Sequence, residues 1–315
     1  MGKIAFIFPG QGSQTVGMGQ TLAEKNESVR SIFLKADNKL GFGLSNLIFE
    51  GPQEELTLTT NAQPALLTTS IAILNFFKQA GIEADYVAGH SLGEYTALVA
   101  AGALSFEDGV YAVRKRGECM EEAVPNREGT MAAVLGLERH ELEKVTDEIT
   151  QAGDPVQLAN INCPGQIVIS GSRHGVELAS VKAKEAGAKR VLPLEVSGPF
   201  HSSLMKPASD KLSAVLDEVD IHEANIPVIA NVSATAMTNP SDIKEKLIKQ
   251  LYSPVQWEDS VKKMIELGVD TFIEIGPGKV LSGLVRKIDR NVKTYAISDE
   301  ESFKTVYEAL KEGVQ

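Results

Sequence analysis

Cysteine is scarce: Cys119 and Cys163 are the only two in 315 residues. That excludes a disulfide framework and a cysteine metal site, and it suits a reducing compartment. The apolar run of the opening MGKIAFIFPG is too short for a membrane span. The opening MGKIAFIFPG is too short in apolar length for a signal peptide, and Phe6 stands where a myristoylation motif requires Ser or Thr, so a cytoplasmic protein is expected. No long basic run offsets a formal net charge of −11, which argues against nucleic acid as a general partner. Repeats and low-complexity segments are missing too. A hydrophobic content of 43% beside 23% charged residues is the balance of an ordinary folded protein.

Any anionic partner must therefore find a local patch. Two are present: Lys182, Lys184, Lys189 and Arg190 in VKAKEAGAKRV, and Lys279, Arg286, Lys287 and Arg290 in GKVLSGLVRKIDR. Each taken alone also reads as a solvated helix face.

The length allows one large α/β domain or a main domain with an insert. KIAFIF (3–8) reads as a strand, followed by the loop Pro9-Gly10-Gln11-Gly12-Ser13-Gln14 and a helix. Residues 62–80 read as a long apolar helix, and PVIAN and TFIEIGPG supply further short buried strands. Strands alternating with helices predict a mainly parallel sheet. Between 127 and 195 the order becomes MAAVLGL, ERHELEKVTDEIT, VQLANIN, QIVISG, RHGVELASVKAKEAG and KRVLPL, which is β-α-β-β-α-β. That is the ferredoxin-like split unit. The expected architecture is a large α/β-hydrolase-like domain, 1–126 with 196–315, carrying a small ferredoxin-like insert at 127–195. A cleft between two such bodies is a favoured ligand site.

VAGHSLGEYTALVA, residues 87–100, places Ser91 between Gly89 and Gly93. An apolar strand precedes it, and a helix from Glu94 to Ala101, closed by Gly102, follows. The pattern fits a nucleophile elbow, whose backbone leaves no room for a Cβ two residues to either side. Ser91 then sits near a helix N-terminus, which favours developing negative charge. On the pentapeptide alone, a capping serine in a Gly-rich turn fits equally well.

A serine nucleophile needs a base. His90 adjoins Ser91 and points elsewhere; His140 lies on a charged helix, His174 in a turn and His222 in a polar connection. His201 stands apart in EVSGPFHSSLMKPA, where Gly198-Pro199 fixes a turn and Phe200 offers an apolar wall. That context suits a neutral imidazole in a partly dehydrated site, although a structural histidine is also compatible. No acid sits in a motif of its own to complete a triad. Either an acid is hidden among the many between Ser91 and His201 or a main-chain carbonyl holds the imidazole tautomer; a dyad is expected.

The ordered motifs FPGQGSQ, GHSLGEYTALVAAGALS, RKRGECM, ANINCPGQIVISG, GPFHSSLMKPA, QLYSPVQW and EIGPGKVLSGLVRKI span the chain. Together they resemble the malonyl-CoA:acyl carrier protein transacylases of bacterial type II fatty acid synthesis, which share their core with the acyltransferase domains of polyketide synthases. The resemblance implies ping-pong transfer of malonyl from CoA to the carrier's phosphopantetheine thiol, without metal or redox cofactor. It implies Ser91 as nucleophile, His201 as base, the Gln11 and Leu92 amides as oxyanion hole, and the Gln250 carbonyl as partner of His201. Arg116 would clamp the malonyl carboxylate, with Gln63 positioning it; Arg114 and Lys115 then read as surface cations. Asn160 and Asn162 would face the cleft, and Phe200 would exclude an additional methyl, a discrimination worth about 1–3 kcal/mol. A monomer is expected, with acidic carrier protein docking on Lys182, Lys184, Lys189 and Arg190 near the cleft rim. A discrete polyketide acyltransferase acting in trans, a serine hydrolase of acyl thioesters and an inactive carrier-binding module are the competing readings.

Overall fold

Two sheets carry the fold in the computed structural model, which describes residues 2–123 and 129–312. The strands in chain order are β1 (Lys3–Phe8), β2 (Tyr86–Gly89), β3 (Gly129–Leu135), β4 (Val156–Cys163), β5 (Gln166–Ser172), β6 (Arg190–Pro193), β7 (Val228–Ile229), β8 (Ala236–Met237), β9 (Val269–Ile275) and β10 (Lys293–Ile297). The larger sheet runs β10-β9-β1-β2-β7-β8. Its pairings are parallel except for the edge pair β7 and β8. Apolar runs without alternation, such as AFIF of β1, are buried on both faces, as a helix-covered parallel sheet requires. PVIAN contributes only two paired residues, and β8 and β10 were not marked in the sequence reading. No helix among the described residues is long and apolar enough to cross a membrane.

The smaller sheet is antiparallel, in the order β4-β5-β3-β6. Its side chains alternate between two destinations, as the period of two demands. Ala132, Val134, Leu158 and Ile169 form a separate core with the helices Arg139–Gln151 and Arg173–Glu185. Met131, Ala159 and Val168 instead join the main core. Val255 ties the bodies further: its N–H donates to Ala159 O at 2.8 Å and its carbonyl accepts from Ile161 N at 2.9 Å. The expected boundary at 126/127 lies outside the described residues.

Parallel registry decides where the chemistry can be. Phe8 pairs with Gly89, so the loops leaving β1 and β2 emerge together at the carboxyl edge, where open α/β sheets bind ligands. The turn after β2 is tight because backbone lies on backbone. A Cβ on Gly89 would stand 1.9 Å from the Gly93 carbonyl, and one on Gly93 would stand 2.2 Å from Phe8 O. Gly93→Ala is expected to lower stability by roughly 1–3 kcal/mol, as overpacking does. Gly283→Ala, on the helix Val280–Ile288 with nothing within 4 Å of the added methyl, is expected to raise it by about 0.5–1 kcal/mol. Chemical denaturation of the two variants checks both; equal shifts would contradict the close backbone contact.

Candidate active site

Ser91 follows β2 with φ of 51°, a left-handed conformation that costs a non-glycine residue about 1–3 kcal/mol. Two side chains hold it there. Ser91 N–H donates to Asn231 Oδ1 at 2.7 Å, and Gln250 Nε2 donates to the Ser91 carbonyl at 3.0 Å. Asn231 Nδ2 also donates to the Gly89 carbonyl at 2.7 Å. The elbow is therefore pinned on both sides of the serine.

Ser91 Oγ lies 2.8 Å from His201 Nε2, and His201 Nδ1 lies 2.8 Å from the Gln250 carbonyl. A carbonyl only accepts, so Nδ1 carries the proton and Nε2 is free to take one from the serine. No carboxylate completes a triad. Burial, reinforced by the Arg116 cation, pushes the imidazole pKa down to about 3, so the base stays neutral well into acid. His90 turns away, as expected: its Nε2 lies 2.8 Å from Asn162 Oδ1, and its ring packs 5.8 Å from Trp257. His140 and His174 are exposed beside Glu141 and Asp154. His174 begins the helix Arg173–Glu185 and is not in a separate turn.

Arg116, on the helix Phe106–Glu122, is only 1% exposed. Its Nη1 donates to Gln63 Oε1 at 2.8 Å; its Nη2 donates to Gln250 Oε1 at 2.9 Å and to Ser91 Oγ at 3.2 Å. The guanidinium lies 5.6 Å from the Tyr95 ring centre. Gln63 is fully buried inside the helix Thr59–Phe77, and its Nε2 reaches Met120 Sδ. Arg114 is no free surface cation. Pro64 has no N–H for the Thr60 carbonyl one turn back, and Arg114 Nη1 donates to that carbonyl at 3.0 Å. Lys115 and Arg114 both pair with Glu118.

Ser91, His201 and Arg116 open on a cavity of about 300 Å³ between the two sheets, lined also by Gln11, Leu92, Met131, Asn160 and Phe200. Gln11 Nε2 donates to Thr59 Oγ1, so its side chain is engaged elsewhere. The amides of Gln11 and Leu92 have no hydrogen-bond acceptor among the described residues. Two free amides beside a nucleophile are what a developing oxyanion needs. Asn162 does not line the cavity, because it faces His90. A second cavity, about 370 Å³ between the Thr15–Leu22 segment and Pro277, offers neither a histidine nor an arginine. No group of three or more His, Cys, Asp or Glu among the described residues is arranged to hold a metal.

The profile of the acyl transferase domain matches residues 5–302. This chain belongs to that family. Among relatives of this acyl transferase chain, the malonyl CoA-acyl carrier protein transacylase of Bacillus subtilis (strain 168) is 65% identical over 312 residues, covering 99% of this chain and 98% of its own. The enzyme of the same name from Staphylococcus aureus (strain MRSA252) is 48% identical over 96% of this chain and 98% of its own. The crystal structure of an acyl carrier protein S-malonyltransferase from Vibrio cholerae superposes with a TM-score of 0.94 at 47% identity, covering 96% of this chain and 99% of its own. A malonyl-transacylase solved in complex with a type II PKS acyl-carrier protein gives the same TM-score, 0.94, at 42% identity over 98% and 99% of the two chains.

Lys189 and Arg190 lie away from the cavity of this acyl transferase, both bonded to Leu135 of β3. Arg190 pairs with Leu135, four residues along β3 from the cavity-lining Met131, or about 13 Å by strand geometry. The segment that reaches the cavity from β6 is Leu194–Val196, at the opposite end of the strand. Lys182 is paired with Glu148. From the second cluster, Lys287 Nζ reaches Gln166 Oε1, and Gln166 pairs with Leu135. Lys287 thus approaches the same row of the small sheet as Arg190, two strands away from it.

A neutral serine-directed reagent reports on the base alone. Its rate of labelling Ser91 is expected to stay level from pH 7 to about pH 5, since His201 remains neutral there; a fall with a midpoint near the ordinary histidine value would contradict the buried imidazole.

Proposed function

We propose that this acyl transferase moves a malonyl group from CoA to the phosphopantetheine thiol of acyl carrier protein through an ester on Ser91. The observation that carries the reading is the buried Arg116 guanidinium, whose Nη2 stands 3.2 Å from the nucleophilic oxygen. A fork of donors fixed beside the serine suits an acyl group that ends in a carboxylate, because planar guanidinium and carboxylate make two parallel charge-assisted bonds. The malonyl-transacylase names of the relatives, and the carrier-protein complex of one neighbour, point the same way.

Ser91 Oγ attacks the thioester carbonyl while its proton passes to His201 Nε2. The Gln11 and Leu92 amides receive the oxyanion, and the loss of one such donor typically costs a hundred- to a thousandfold in rate, roughly. The tetrahedral intermediate collapses, the C–S bond breaks, and His201 returns the proton to the CoA thiolate. In the second half His201 takes the proton of the carrier thiol, whose sulfur attacks the ester; the C–O bond breaks and His201 returns that proton to the leaving Ser91 Oγ. Splitting the exchange this way needs no metal or redox cofactor. Gln63 and Gln250 hold Arg116, Asn160 lines the acyl cavity, and the buried Phe200 ring narrows it against an added methyl.

The same reading treats residues 127–195 as a ferredoxin-like domain inserted in an α/β-hydrolase-like one, supported by the β4-β5-β3-β6 order and the separate small core. It places the enzyme in the cytoplasm as a monomer. Carrier protein docks on the exposed Lys184, Lys189 and Arg190, joined by Lys287 and, where its ion pair opens, Lys182; its flexible arm spans the strand length to the cavity.

Intact-protein mass spectrometry after brief mixing with malonyl-CoA and no acceptor tests the reading. A persistent malonyl adduct is expected, absent in Ser91→Ala and discharged by carrier protein, with discharge alone slowed by charge reversal at Lys189 and Arg190. Free malonate accumulating through Ser91 without an adduct would make the protein a hydrolase, and equal slowing of both halves would remove the docking assignment.

A further inference from the structure

Beneath the elbow lies a carboxylate that the mechanism leaves unused. Glu94, in the first turn of the helix Gly93–Ala100, is fully buried. Its Oε2 accepts from Gln250 Nε2 at 2.6 Å and from the Asn231 backbone N–H at 3.2 Å, while its Oε1 is buried without a partner among the described residues. The Gln250 amide is a bridge: its Oε1 accepts from Arg116 Nη2 and its Nε2 donates to Glu94. A buried cation and a buried anion are thus joined through one neutral side chain.

We propose that Glu94 is the resident counter-charge of Arg116, and that capture of a substrate carboxylate by Arg116 displaces it from that role by drawing one proton from solvent onto Glu94. The inference rests on the malonyl reading of the site. The groups facing Glu94 are Arg116 from the helix Phe106–Glu122, Lys246 and Gln250 from the helix Pro240–Gln250, Asn231 after β7, and the neighbouring Tyr95. Lys246 is paired with Asp242, which leaves Arg116 as the cation near Glu94 without an ion-pair partner among the described residues. Burial pushes the Glu94 carboxyl up to about 7, against the pull of Gln250, Asn231, Arg116 and Lys246.

The sign follows from the charges. An ionised Glu94 with Arg116 makes a neutral empty site; adding a carboxylate then leaves two anions around one cation in a dry pocket. A protonated Glu94 leaves one of each once the carboxylate is bound. Loading of a carboxylated acyl group therefore favours protonated Glu94, and by reciprocity the loaded carboxylate raises the affinity of Glu94 for its proton. An acyl group without a carboxylate has no such requirement.

The experiment follows Ser91 esterification from malonyl-CoA and from acetyl-CoA across pH 6 to 9 by rapid quench and mass spectrometry, with proton uptake in weak buffer near pH 7.5. Malonyl loading is expected to fall by about tenfold as pH rises past 7, within the usual range of site-to-site coupling. Acetyl loading should stay level, and malonyl should take up more protons per ester than acetyl. Glu94→Gln is expected to lose the malonyl limb. Superimposable malonyl and acetyl profiles with equal proton uptake would overturn the proposal, as would a limb that survives in Glu94→Gln. If that variant does not fold, the difference between the two thioesters on the parent protein decides alone. An adduct that forms independently of pH overturns only the role of Glu94; no Ser91 adduct at any pH overturns the malonyl reading and this inference with it.

Discussion

A guanidinium taken almost wholly out of water is the constraint around which the site is assembled. Removing an ion from solvent costs several kcal/mol unless its donors are met. Arg116 has Gln63, Gln250, Ser91 and the face of Tyr95, yet its Nε has no acceptor among the described residues. The helix that carries it reaches this depth because Gly117 lets it lie against the backbone at Thr59 and Thr60, where a Cβ would come within 2.9 Å. Burial lowers the His201 pKa and the same charge lowers it further, so the cation proposed to bind the acyl carboxylate also helps to keep the imidazole unprotonated.

Gln250 connects these requirements. Its carbonyl fixes the His201 tautomer, its Oε1 holds Arg116, and its Nε2 reaches both the Ser91 carbonyl and Glu94. Ser91 and His201 both take positive φ, 51° and 57°, so nucleophile and base each sit on strained backbone. That strain is offset by neighbours that over-determine it: Asn231 and Gln250 at Ser91, and the Leu251 carbonyl, which accepts the His201 N–H at 3.1 Å.

Much of this was legible in the chain because it is local. The glycines at 89 and 93 announce a turn with no space for side chains, and the β-α-β-β-α-β rhythm announces the small sheet. The missing acid was legible too, since no candidate had a motif. Asn231 and Glu94 were not, because their bonds close loops of more than a hundred residues and leave no pattern near either end. Arg114 misled because the carbonyl it satisfies is orphaned by a proline on another helix. The docking cluster misled in position because strand direction places Arg190 at the end of β6 away from the cavity, which composition does not encode.

The proposed transfer depends on Arg116 reading a carboxylate. The most direct measurement is the ratio of Ser91 esterification rates from malonyl-CoA and acetyl-CoA, in the parent and in Arg116→Ala, at one pH. Two charge-assisted bonds at about 1.5–3 kcal/mol each predict a loss of at least a hundredfold for malonyl and a far smaller change for acetyl, collapsing the ratio. An equal fall for both thioesters would mean that Arg116 serves the scaffold or the serine, and that the acyl carboxylate is recognised elsewhere.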